Sequence, residues 1–126
     1  MEAITHFLDL SEEHFLEKRW SDSIANSRKF LESVLQEIAA SHCNRAYGKP
    51  LSKETYEKPA LARQYLEDEG LLESKKREAI AKIYGLLSHT GGHPYMADSD
   101  QARLLRHLSL TVGQFVLLRY KGFTTQ

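Results

Sequence analysis

From Ser21 onward the apolar positions Ile24, Leu31, Val34, Leu35, Ile38 and Ala39 return every three or four residues, the period of one helical face. The pattern predicts a helix over 21–43. Ser21 or Asp22 can accept from the free amides of its first turn, and the polar run into Gly48-Lys49-Pro50 stops it. Ahead of it Ser11 reads as the cap of a shorter helix, with Glu12 and Glu13 at its positive end and Phe15 and Leu16 as apolar contacts. Leu61, Tyr65 and Leu66 give a helical pattern between Ser52 and Gly70, which Pro59 permits only from the first turn. Ser74 then reads as the cap of a helix that turns Ala79, Ile80, Ile83, Tyr84 and Leu87 inward and ends before Gly91-Gly92.

The last segment carries the fullest pattern. Asp98 and Gln101 have the spacing of a capping box, and Leu104, Leu105, Leu108, Thr111, Val112, Phe115 and Leu118 follow at helical intervals, predicting a helix over 99–120. Its apolar stripe is wide enough to pack on two neighbours or to complete an oligomer interface. No strand-like alternation, internal repeat or low-complexity tract occurs. The expected fold is all-α, an antiparallel bundle of four to five helices, with residues 1–20 as an N-terminal helix or linker and 21–126 as the bundle domain.

Composition narrows the class. A chain of 126 residues forms one core, and a domain of this size buries roughly two thirds of its unfolded surface without needing a disulfide or metal. The lone Cys43 agrees. With 17 Lys+Arg against 17 Asp+Glu, no overall charge draws nucleic acid or anionic lipid. Apolar runs fall far short of the roughly 20 residues that span a bilayer, so no membrane partner is expected. Residues 1–10 lack a basic start followed by an apolar stretch, so the expected location is the cytoplasm.

Familiar catalytic constellations are missing. His89 and His93 have helical i, i+4 spacing, but Gly91, Gly92 and Pro94 interrupt it, and neither an HExxH motif nor a cysteine pair is present, so no metal or other cofactor is expected. His42 and Cys43 are adjacent and point about 100° apart on a helix, too far for a base and its nucleophile. Charge is more informative by segment. After Asp100 come Arg103, Arg106, Arg119 and Lys121 with no acid. Arg103, Arg106 and His107, together with His89 near the Gly91–Pro94 turn, form the candidate anion or RNA phosphate site. A solvated basic helix face accounts for the same residues more simply.

The stretch Ile83-Tyr84-Gly85-Leu86-Leu87-Ser88-His89-Thr90-Gly91-Gly92-His93-Pro94, followed by Gln101-Ala102-Arg103-Leu104-Leu105 and a long apolar helix, resembles the abortive-infection C-terminal domain of the HEPN superfamily. The segment from Ser23 to Leu35 looks like that family's first long helix. The resemblance implies a helical bundle that forms homodimers, and a setting in phage defence or a toxin-antitoxin-like system. It also implies RNA, a nucleotide, a partner defence protein or a fused domain as partners.

Active members are metal-independent ribonucleases that pair a His with an Arg, the two separated by four to six intervening residues. The His moves protons and the Arg steadies the charged phosphorane-like transition state. His93 matches the catalytic His, but the positions five to seven residues before it are Ser88, Leu87 and Leu86, none of them basic. The expectation is therefore a binding or interaction module with a degenerate ribonuclease motif. The alternative is an endoribonuclease in which His93 works with a non-standard Arg such as Arg103 or Arg106.

Overall fold

The computed structural model describes residues 2–91 and 98–124, and their regular elements are all helices. They are α1 (Glu2–Leu16), α2 (Trp20–Tyr47), α3 (Lys53–Glu57), α4 (Pro59–Asp68), α5 (Ser74–Gly91) and α6 (Ser99–Thr124). The all-α expectation holds. Among the described residues the helices number six rather than four or five, because the segment after Ser52 divides at Lys58. That residue is extended (φ −105°, ψ 111°), as the residue before a proline must be, and Pro59 occupies the first turn of α4, where its missing N–H costs nothing.

Several helix ends differ from expectation for identifiable reasons. Ser11 does not cap α1, which begins at Glu2. It lies buried in mid-helix, its hydroxyl donating to the Leu8 carbonyl at 2.7 Å, while Ser23 donates to the Ser11 carbonyl at 2.7 Å. These small side chains let α1 and α2 approach closely. Helix α2 opens at Trp20 behind Arg19 without a side-chain cap, and Asp22 pairs instead with Arg19 at 2.7 Å. It continues past Cys43 to Tyr47, where Gly48 takes the left-handed conformation (φ 67°) and its N–H bonds the Asn44 carbonyl. Ser74 is the first residue of α5 rather than its cap, the first helical bond running from Arg77 N to the Glu73 carbonyl. Helix α6 passes Tyr120 to Thr124, and Gln101 N donates to Asp98 Oδ1 at 2.8 Å, as half of the expected capping box.

Helix α2 is the axis of the core. Its Ile24, Phe30, Leu31, Val34, Leu35, Ile38 and Ala39 are buried together with Ile4, Leu66, Ile80, Leu87, Ala102, Leu105 and Val116 from the surrounding helices. Cross-contacts fix the directions. Ser23 meets Ser11 and Lys29 lies over Phe7, so α1 and α2 are antiparallel. Lys76 lies over Phe115, and Ile80 and Ile83 line one groove with Thr111 and Val112, so α5 and α6 are antiparallel too. Gly113 is required where α6 crosses α2, because a Cβ there would stand 2.7 Å from a ring carbon of Phe30.

Four tyrosines fasten the outer helices to α2. Tyr56 donates to Glu37 at 2.9 Å, Tyr84 donates to Glu32 at 3.1 Å, Tyr47 donates to Glu69, and Tyr65 shares a 2.8 Å hydrogen bond with buried His42. The glutamates raise the Tyr47 and Tyr56 phenols, and burial raises those of Tyr84 and Tyr65, the latter also beside the Cys43 thiol. A phenol raised in the fold gives stability that is complete below its ordinary value of about 10 and is lost as pH climbs toward the folded value. Stability is therefore expected to hold to about pH 10 and fall above it. In a phenolate absorbance titration these four tyrosines should ionise together with unfolding, whereas ionisation of all tyrosines ahead of unfolding would contradict the clasps.

Candidate functional site

Helix α6 is apolar on two sides, one of them buried and the other largely exposed. At 100° per residue, Ala102, Leu105, Ser109, Gly113 and Val116 form an inner face, which is buried. Leu104, Leu108, Thr111, Phe115 and Leu118, at steps of four and three, form an outer face running about 21 Å along the helix. On it Leu104 is 58% exposed, Phe115 39% and Leu118 65%. Beside this stripe an apolar groove of about 320 Å³ separates α6 from α5. It is lined by Ala79, Ile80 and Ile83 on one side and Thr111, Val112 and Phe115 on the other, with Lys76 lying 5.4 Å from the centre of the Phe115 ring. Ala79, expected to face inward, is exposed and belongs to this groove.

The basic residues singled out from the sequence fall at the other end of α6. The Arg103 and Arg106 guanidiniums each lie 5.9 Å from the Phe15 ring, which meets Trp20 edge-on with centroids 5.3 Å apart. Arg103 also pairs with Asp100 at 3.5 Å, whereas Arg106 is half-buried and its Nε has no hydrogen-bond partner. The two arginines thus gather on an aromatic corner made by the end of α1 and the start of α2. His107, next along α6, is exposed, as is His89 in the last turn of α5. His93, the match to the family's catalytic His, lies outside the described residues, as do the other residues of 92–97 in the turn that follows His89. Among the described residues no group of three or more His, Cys, Asp or Glu side chains is placed to hold a metal ion. No helix among them is long and apolar enough to cross a membrane.

One polar cluster escaped the sequence reading. Arg63 of α4 is 9% exposed, its guanidinium carbon 5.2 Å from the centre of the Tyr84 ring, and its Nε and Nη1 are buried without a hydrogen-bond partner. Burial lowers the Arg63 pKa, and the charge of Arg77 pushes in the same direction, against Tyr84 and Glu32. Arg77 Nε lies 2.9 Å from Glu67 Oε2, but its N–H is not aligned for a hydrogen bond. Ser88 Oγ is also buried, beside the Tyr84 phenol. A charged residue every few positions in a helix ordinarily reads as solvated surface, which is why Arg63 drew no notice.

No family model, no curated protein and no solved structure matches this chain.

Proposed function

We propose that the chain is a HEPN-like, abortive-infection-type helical interaction module, a cytoplasmic homodimer serving phage defence or a toxin-antitoxin-like system, with a degenerate ribonuclease motif. The family and its setting rest on the resemblance carried by residues 83–94 and 101–105. The observation supporting an interaction role is the outer face of α6. A contiguous apolar stripe rimmed by polar residues is the mark of a contact surface, and a second copy offers the same stripe in return. Arg103 and Arg106 remain the residues for an RNA or nucleotide phosphate, since a guanidinium offers paired donors and a stacking plane.

A partner that binds only the folded chain raises its stability by mass action. The melting temperature should therefore climb by a few degrees for each tenfold increase in protein concentration, and a melting temperature independent of concentration would count against self-association. RNA incubated with the protein in EDTA should stay intact. Cleavage that disappears in His93→Ala would replace the binding reading with the endoribonuclease.

A further inference from the structure

The cluster around Arg63 has donors to spare and no acceptor for them. Guanidinium donors lie in the plane of the group, so an aromatic ring against its face leaves them unsatisfied. A buried ion left without a partner is costly, and native structures rarely keep one without a reason. Arg77, Tyr84 and Ser88 fall on a single face of α5, at steps of seven and four, and the position between Arg77 and Tyr84 on that face is the small Ala81. Helix α2 brings Glu32, which accepts from the Tyr84 hydroxyl, and Arg28, whose charge acts on the same phenol. Arg63 and Arg77, with the charge of Arg28 acting on Tyr84, thus stand against the carboxylates of Glu32 and Glu67. Glu67 is paired with Arg77 and Glu32 is engaged by Tyr84.

The unmet donors are the Arg63 Nε–H and Nη1–H and the Arg77 Nε–H, the Ser88 hydroxyl lies beside the Tyr84 phenol, and the charge left over is positive. We infer that the junction of α2, α4 and α5 is a receptor for an oxyanion of the phosphate class, held by the Arg63 guanidinium and the Ser88 hydroxyl. A tetrahedral oxyanion supplies several acceptors to one planar fork, and a charge-assisted contact of this kind is the strong form of hydrogen bond. The same chemistry is offered by free phosphate, by the terminal phosphate of a nucleotide and by the backbone of RNA.

The test is a calorimetric titration of the full chain with inorganic phosphate, adenosine 5′-monophosphate and an RNA dinucleotide whose only phosphate is internal, ionic strength being held with sodium chloride. Saturable binding of phosphate and the monophosphate is expected. Binding of those two alone assigns the site to terminal or free phosphate, and binding of the dinucleotide as well assigns it to the RNA backbone. Arg63→Met should weaken binding about tenfold or more, Ser88→Ala less, and Arg63→Lys should retain part of it.

Thermal melting supplies a readout that a purely structural arginine would not give. Without ligand, Arg63→Met should melt at the wild-type temperature or above, because it removes an unpaired buried charge. Wild-type protein should gain melting temperature from phosphate that the variant does not. No binding at millimolar phosphate, equal binding by wild type and Arg63→Met, or a large loss of stability in ligand-free Arg63→Met would each overturn the inference. Should Arg63→Met fail to fold, unchanged affinity in both Arg63→Lys and Ser88→Ala would overturn it equally.

Discussion

Glutamate at both Leu104 and Leu118 is expected to weaken self-association by about a hundredfold or more while leaving the isolated chain as stable as before. Each leucine hidden in an interface contributes roughly 1.5–3 kcal/mol through burial of its apolar surface. A carboxylate in its place must also be desolvated against the partner's apolar stripe. Within one chain the same positions are mostly in water, so little packing is lost, and glutamate suits a helix as well as most residues do. The new carboxylates also join a helix that carries Arg103, Arg106, Arg119 and Lys121 but no acid beyond Asp100. Circular dichroism melting at low concentration should show an unchanged transition, and light scattering at high concentration should show a lower mass than wild type. Equal mass for the two proteins would move the interface elsewhere, and a collapsed melting curve would mean that the outer face is core after all.

The opposite result is expected on α2. Leu31→Ala or Leu35→Ala should cost about 3–5 kcal/mol, because both side chains are fully buried where α2 meets its neighbours. Removing a branched side chain there forfeits its transfer energy and leaves a cavity that six packed helices cannot readily collapse. The transition temperature should fall by about ten degrees or more. Leu16, exposed at the end of α1, is the control. Its replacement by alanine should change stability by less than about 0.5 kcal/mol. Denaturant melts of the three variants check this, and similar midpoints for Leu31→Ala and Leu16→Ala would contradict the placement of the core.

The helices were legible where their signal is local and repeated. The stripe of α2, the position of Pro59 in a first turn and the Asp98 cap all follow from nearest neighbours along the chain. The width of the α6 stripe was legible as well, though whether neighbours within the chain or a second copy would cover it was not. What the sequence concealed depends on distant partners. Ser11 serves a cap or a buried mid-helix bond equally well, and the Ser23 hydroxyl that reaches its carbonyl decides between them. Helix α2 outruns Cys43 because His42 and Tyr47 find Tyr65 on α4 and Glu69 just past its end. The candidate basic site was legible only as three neighbouring residues on α6, since Phe15, on which two of them rest, comes from the far end of the chain. Arg63 was hidden for the same reason. Its burial is a consequence of how α4 packs and leaves no trace in local spacing.

Sedimentation equilibrium of the unmodified chain, from low micromolar to a few hundred micromolar, tests most directly whether the outer face of α6 is a contact surface. The expected outcome is an average mass that rises from 14.4 kDa toward twice that value and is held near the lower figure by glutamates at Leu104 and Leu118. A single species of monomer mass at every concentration would contradict it.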